Sequence, residues 1–306
     1  MTTLSQYLFV MGALLLLMAF VMAVAYTTLL AVGRRAGVAV GTTPALAAAT
    51  VGTASMPAAI ASPTGPRGDT SAAIGHGLTW ASFVLMAGSL LVRGLIVQRG
   101  PWGNMYEFSI AFAVGITFGY LLLGRRYPIR SIAFLPLGVA LFLVGYATTL
   151  PSSIEPLVPA LDNAPLLTVH VAMAMIAYGV LAISFAAAVG YLAQGREDRF
   201  AWLPSHKVLD EVAYRSVIIG FPIFATMISL GSYWASIAWG RYWGWDPKET
   251  SALVTWLIYA VYLHARNQRG WAGRPAALIL VIGFGAVLFT YFGNLFFAGL
   301  HSYSGL

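Results

Sequence analysis

Residues 234–266 read WASIAWGRYWGWDPKETSALVTWLIYAVYLHAR, a tryptophan-rich turn that runs directly into a long apolar segment. Five of the nine tryptophans fall between Trp234 and Trp256. The apolar part, 249–265, approaches the roughly 20 residues that a helix needs to cross a bilayer. The stretch therefore predicts a membrane helix that begins beside a dense aromatic surface.

The composition extends this interpretation to the whole chain. Of 306 residues, 59% are hydrophobic and 9% are charged, whereas about a quarter of a soluble domain is charged. The absence of cysteine excludes disulfides, thiolate metal sites, a cysteine nucleophile and a CxxCH haem-attachment motif. The net charge of +7 comes mostly from short loops, so it predicts topology rather than a nucleic-acid partner.

We therefore predict an all-α polytopic membrane protein with about eight transmembrane helices. The first apolar run is too long for a cleaved signal and is expected to be an anchor. Residues 36–72, rich in Ala, Gly, Thr and Pro, are predicted to form a flexible or re-entrant loop. The eight expected spans are 6–32, 73–97, 107–123, 131–149, 165–193, 212–235, 249–265 and 275–297.

Basic residues orient these spans, because cytoplasmic loops carry an excess of Lys and Arg. They concentrate in four loops that lie on one side if both termini are extracytoplasmic: Arg34 and Arg35; Arg125, Arg126 and Arg130; Arg196, Arg199, Lys207 and Arg215; Arg266, Arg269 and Arg274. The expected organisation is an N-terminal membrane segment, 1–100, and a second membrane domain, 101–306, with an external loop at 234–250. Arg93 and Arg99 flank an outer turn against this rule, either as noise or as contacts for anionic groups.

The sequence Asp246-Pro247-Lys248-Glu249 predicts a helix start. Asp246 suits the N-cap, proline the first helical position and Glu249 the capping-box position. The backbone N–H groups of such a start point outward, and Lys248 and Arg241 add positive charge there. Capping alone would explain these residues, and it leaves room for a bound anion.

The tryptophans have two interpretations. Trp and Tyr gather at membrane interfaces, which explains one or two per helix end. An interface belt does not readily explain Trp239, Tyr242, Trp243 and Trp245 within one short turn. The alternative is a platform for a large, flat, apolar ligand with an anionic edge, a description that fits haem.

The histidines separate by depth. His170 at the start of the fifth span and His301 after the eighth share the side of the tryptophan run, so both are candidate ligands of one haem iron. Ordinary interfacial hydrogen bonding is the alternative for each. His264 lies 17 residues beyond Pro247, about 25 Å along a helix, and is a separate candidate near the cytoplasmic end. His76 is a weaker inner candidate, and His206 is expected at the solvated surface.

Other functional classes lack their signatures. The chain has no Walker loop, GxSxG or HExxH motif. No predicted helix carries two histidines, which argues against intramembrane haem pairs that transfer electrons.

Four segments together resemble one family. WGRYWGWDPKET resembles the WWD domain of haem-handling proteins in cytochrome c biogenesis, and PWGNMYEFS resembles that family's NxYES element. LLTVHVAMAMIAYG and GNLFFAGLHSYSG are similar to its two outward-facing histidine segments. The four lie in family order from about Trp102 to the end, and the size and span number match the System II family called CcsA or ResC (sometimes CcsB).

The resemblance implies roles for individual residues. His170 and His301 match the axial haem ligands, and His264 matches a transmembrane histidine at which haem enters. Trp239, Trp243, Trp245 and Asp246 match its platform. The residues themselves add Arg241, Tyr242 and Lys248 to the platform, and Arg241, Lys248, Arg93 or Arg99 are candidate propionate contacts. Ser251 stands where many members have another Trp.

The implied function is the membrane subunit of a cytochrome c synthase in the bacterial plasma membrane. It would hold haem b on the extracytoplasmic face for thioether attachment to a CxxCH apocytochrome c. The implied partners are a ResB-like (Ccs1) membrane subunit, thioredoxin-like thiol reductants and the lipid bilayer. A haem exporter or chaperone, and a structural scaffold, remain as alternatives.

Overall fold

The computed structural model describes residues 1–40, 65–154, 164–266, 268, 271–293 and 296–302. Six predicted spans lie within a helix, whereas 131–149 and 275–297 extend beyond the ends of theirs. A 3-10 turn at Arg130–Ile132 joins the third and fourth helices. The helices are α1 Thr2–Val40, α2 Gly65–Val97, α3 Met105–Gly124, α4 Phe134–Thr148, α5 Ala164–Gln194, α6 His206–Trp239, α7 Pro247–Arg266 and α8 Arg274–Phe292. The described part contains no strand, so the all-α prediction is confirmed.

Six helices within the described residues are long and apolar enough to cross a membrane, and they identify a multi-pass membrane protein. They are α1, α2, α3, α5, α6 and α8. The two others have different reasons for falling short. Helix α4 has 15 residues, about 22 Å at 1.5 Å per residue, and α7 carries charge in its first and last turns.

Helices α3 and α5 form the centre of the bundle. They cross where Gly115 faces Gly179 so closely that a Cβ on either residue would overlap the other helix. Small residues at such crossings allow the helix backbones to approach. Helix α5, which carries His170 in its second turn, is therefore in backbone contact with α3 at this crossing.

The two ends of the bundle differ in character. One end, which we call the tryptophan end, contains the last turn of α6, the first turn of α7 and the starts of α3 and α5. At the opposite end Arg266 donates two hydrogen bonds to Asp210, of 2.7 and 2.6 Å, which tie α7 to α6. The side of the membrane that each end faces stays a prediction, as does the division at residue 100.

Two expected loops are shorter than predicted. Residues 36–40 extend α1 and residues 65–72 begin α2, with Pro66 in the first turn, where proline is tolerated. The rest of the 36–72 segment lies outside the described residues. The 234–250 loop shrinks to 240–246, because α6 continues to Trp239 and ends at Gly240, whose φ of 69° is the left-handed conformation that glycine adopts readily.

Candidate functional site

A narrow cavity opens at the tryptophan end, between α5, α6 and the start of α7. Its empty space is about 1030 Å³, a volume that includes open solvent at its mouth. We call this cavity the slot. Its lining is mainly aromatic and apolar and includes Trp102, Phe108, His170, Tyr178, Trp234, Trp239, Trp243, Lys248, Tyr291 and His301.

His170 is fixed by the backbone of α6. Its Nδ1 donates to the Met227 carbonyl oxygen at 2.9 Å, and its ring stacks on Trp234 with centroids 6.4 Å apart. Gly231 leaves room for the imidazole, because a Cβ there would lie 2.6 Å from His170 Cε1. With Nδ1 occupied, Nε2 is the nitrogen that remains for a ligand.

His301 is fixed by a carboxylate instead. Its Nδ1 lies 2.8 Å from Asp246 Oδ1, and its ring meets Trp239 edge-on with centroids 4.9 Å apart. Trp234 lies 5.8 Å from the same imidazole, so one tryptophan contacts both histidines. The carboxylate therefore engages Nδ1 of His301 and fixes the orientation of its ring.

Asp246 joins the start of α7 to the segment after α8. It accepts hydrogen bonds from the backbone nitrogens of Lys248 at 2.9 Å and Leu300 at 2.5 Å, in addition to His301. Glu249 Oε2 in turn accepts from the nitrogen of Asp246 at 3.2 Å, which confirms the predicted capping box.

The protonation states suit ligand binding. Burial alone would raise the pKa of Asp246, but hydrogen bonds from His301 and from two backbone N–H groups lower it to about 2. Burial lowers the pKa of His301 below 6.5, against the opposing effect of Asp246. Asp246 is therefore ionised at pH 7. Burial favours the neutral imidazole at His301, the form that coordinates metal.

This donor set fits haem better than a bare metal ion. Within the described ranges no three His, Asp or Glu side chains cluster to hold an ion. Two imidazoles in an aromatic slot suit a metal whose other positions are filled by its own flat macrocycle.

The predicted platform separates into two groups. Trp239, Trp243 and Lys248 line the cavity, whereas Arg241, Tyr242 and Trp245 lie outside the lining and are exposed. Trp245 is 69% exposed and has a φ of 55°, a strained conformation for a bulky residue. The glycine-containing turn thus directs only part of its aromatic surface inward.

Arg93 and Arg99 have other partners in the structure. Both pair with Glu107, a buried residue in the first turn of α3, and Arg93 also donates to the carbonyl oxygens of Ser152 and Ser153 at 2.8 and 3.1 Å. Neither arginine lines the cavity. Their contact with propionates stays a prediction that these ion pairs do not favour.

The remaining histidines lie away from the cavity lining. His264 is exposed near the end of α7, in a groove with Leu257, Val261 and Trp271. His76 lines a separate crevice between α1 and α2, and His206 pairs with Asp198 at 3.1 Å. The structure therefore brings His170 and His301 into one site and leaves His264 out of it.

Several lining residues were missed by the sequence reasoning. Trp234 contacts both imidazoles, but it lies before Trp239, where the predicted platform begins. Its spacing of five residues before Trp239, at the end of one helix, was an available signal. The Met227 carbonyl leaves no signature in a sequence.

Comparisons with known proteins agree on one family. The family described as Cytochrome C assembly protein matches residues 102–301. The cytochrome c biogenesis protein CcsA of Mesostigma viride is 34% identical over 259 residues, which cover 74% of this chain and 84% of that protein. CcsA of Chlamydomonas reinhardtii is 37% identical over 246 residues, or 76% of this chain and 69% of that one.

CcsA of Synechococcus sp. strain CC9605 is 32% identical over 253 residues, which cover 72% of this chain and 83% of that protein. Among solved structures, the cytochrome c haem lyase CcmF matches with a TM-score of 0.58 and 18% identity. That match covers 92% of this chain and 46% of CcmF, and at this identity it shows a shared fold.

Proposed function

Because the chain belongs to the CcsA family of cytochrome c assembly proteins, with a role in cytochrome c maturation, we propose that its cavity binds haem b between His170 and His301. The observation that carries the proposal is the pair of imidazoles, each held through Nδ1, in one narrow aromatic cavity. Nε2 of each ring is then the iron ligand, and Trp234, Trp239 and Trp243 supply apolar walls.

The proposed role is the membrane subunit of a System II cytochrome c synthase. Bound haem supplies vinyl groups, to which the two thiols of a CxxCH apocytochrome add as thioethers without net oxidation. The chain orients haem and ligates its iron on the extracytoplasmic face, and it needs no acid or base of its own. It contains no cysteine, so thiol reduction is assigned to thioredoxin-like partners.

A second site is proposed at His264 for the entry of haem. The residue is exposed in an apolar groove near the far end of α7, and an ionisable side chain within a membrane helix is a candidate for a function. A histidine of the ResB-like partner subunit would complete this site.

The absorption spectrum of the purified chain tests the outer site. We expect a Soret band and, after reduction, the sharp visible bands of bis-histidine haem, both lost when His170 and His301 are replaced together by alanine. His206→Ala is the matched control, because His206 begins α6, at the opposite end of that helix from Trp239, and pairs with Asp198. A Soret band unaffected by the double replacement would contradict the site.

Co-expression separates a synthase from a haem carrier or a scaffold. The chain and its partner subunit are expressed with a CxxCH reporter, and covalent haem on the reporter is measured. We expect covalent haem only when both membrane proteins are present. Its formation without this chain would eliminate the synthase role.

A further inference from the structure

Lys248 is the only Lys or Arg side chain in the described lining of the cavity. It lies in the first turn of α7, and its Nζ stands 5.5 Å from the centroid of Phe108, which lines the same cavity. Arg241 is exposed outside the lining, and Arg93 and Arg99 are paired with Glu107. Lys248 therefore supplies the cationic side chain in the described lining of the cavity.

The ammonium lacks an anionic partner of its own. In the parts of the chain that the structure describes, no carboxylate lies within ion-pairing distance of Lys248 Nζ. Asp246 is engaged with His301 and Leu300, and Glu249 Oε2 accepts from the backbone of Gly244 and Asp246. Lys248 is partly buried, and an ammonium that faces aromatic rings away from water costs free energy unless an anion joins it.

We propose that Lys248 selects ligands that carry a carboxylate on their edge, by pairing its ammonium with one carboxylate inside the cavity. The inference rests on the proposed haem site and deepens it. In haem the carboxylates are the propionates, and the vinyl groups occupy the opposite edge of the ring. This ion pair would therefore also orient the haem, with its vinyl edge facing away from the start of α7.

Haem dimethyl ester isolates this contact, because esterification removes both carboxylate charges and keeps the ring and the iron. The affinities of the purified protein for haem and for the ester are measured by absorption titration. We expect the wild type to bind the ester about tenfold more weakly or worse, the usual scale for losing a buried charge partner. Lys248→Met should bind haem and the ester with equal affinity.

Two further variants complete the test. Arg241→Gln removes an exposed cation of the same turn and should keep the wild-type preference for haem. Lys248→Arg keeps the charge and should retain most of the preference. A bis-histidine spectrum of Lys248→Met with the ester serves as the folding control, and the ester should bind this variant at least as tightly as it binds the wild type, because no unpaired ammonium is enclosed.

The outcomes distinguish this inference from the haem site itself. If neither ligand gives a bis-histidine spectrum with the wild type, the proposed function fails and the inference falls with it. If both bind with bis-histidine spectra but without preference, or if Lys248→Met keeps the preference, Lys248 does not select the carboxylate. A preference lost only in Arg241→Gln would move the contact to the exposed turn.

Discussion

At the scale of single residues, the space behind His170 is as important as the ring itself. Gly231 provides this space, and a Cβ there would lie 2.6 Å from Cε1 and 3.0 Å from Nδ1 of the imidazole. We predict that Gly231→Ala rotates His170 away from the Met227 carbonyl and removes the bis-histidine spectrum. Absorption spectroscopy of the reduced protein with added haem measures the effect.

Gly285→Ala is the matched control for this replacement. Gly285 lies in α8, and a Cβ there meets no atom within 4 Å. Both changes gain helix propensity, up to about 1 kcal/mol, so only the local crowding differs. An unaltered spectrum in Gly231→Ala would mean that His170 does not need its present orientation.

The carboxylate of Asp246 provides the second prediction at this scale. Asparagine caps helices as well as aspartate does, so Asp246→Asn should preserve the start of α7 while weakening the charged hydrogen bond to His301. We expect a loss of about 1–2 kcal/mol in the free energy of unfolding, together with weaker haem binding. Thermal unfolding in detergent and haem titration measure the two effects.

Asp198→Asn is the control for Asp246→Asn, because Asp198 also pairs with a histidine, His206, but at the exposed surface. Solvent screens that pair, so its loss should change little. Equal effects of the two replacements would argue against a positioning role for Asp246.

The sequence predicted some of these residue-level features and had no access to others. The capping box at Asp246 and Glu249 follows from local spacing, because both partners lie within one helical turn. The residues that hold the two histidines could not be predicted from local spacing. Met227 lies 57 positions from His170, and Asp246 lies 55 from His301, so only the packing of helices brings them together.

At the scale of elements, one ion-pair cluster joins three segments near the tryptophan end. Glu107 in α3 accepts from Arg93 of α2, and Arg93 also reaches the carbonyl oxygens of Ser152 and Ser153 after α4. Arg93 and Glu107 are 3% and 1% exposed, so the loss of Arg93 leaves the buried carboxylate with only its longer pair to Arg99, at 3.4 Å.

We predict that Arg93→Met lowers the free energy of unfolding of the haem-free protein by about 3 kcal/mol, within the range for breaking a buried pair. The double variant Arg93→Met/Glu107→Leu should recover part of this loss, because it removes the buried carboxylate together with its partner Arg93. Arg215→Met, which breaks the exposed pair with Glu211, is the control and should change little. Unchanged stability with weaker haem binding would instead support a propionate contact for Arg93.

The hydropathy pattern predicted the positions of the helices well, but it predicted their ends poorly. The apolar runs identify eight helices because each crosses or faces an apolar environment. Helix α6, however, begins at His206 and ends at Trp239, beyond the expected 212–235. Its first extra turn follows the Ser205 cap and carries the buried Leu209, and its last extra turn ends at Gly240.

At the scale of the whole molecule, α7 connects two separate chemical environments. Its first turn joins the cavity through Asp246 and Lys248, whereas His264 near its last turn is exposed in a different groove. The 17 residues between Pro247 and His264 correspond to about 25 Å. The sequence predicted this separation, because the rise of a helix converts a residue count directly into a distance.

Sites at such a separation, with no shared partners, should respond independently to mutation. We predict that His264→Ala leaves the affinity for haem added to the purified protein within about twofold of the wild type, or roughly 0.4 kcal/mol. The same variant should contain less haem when isolated from cells, since there haem must first enter. His170→Ala should weaken both measurements, because it removes an iron ligand at the cavity. His206→Ala, at the exposed surface, should change neither. If His264→Ala weakens the binding of added haem as much as His170→Ala does, the two ends of α7 serve a single site and the proposed division between entry and holding fails.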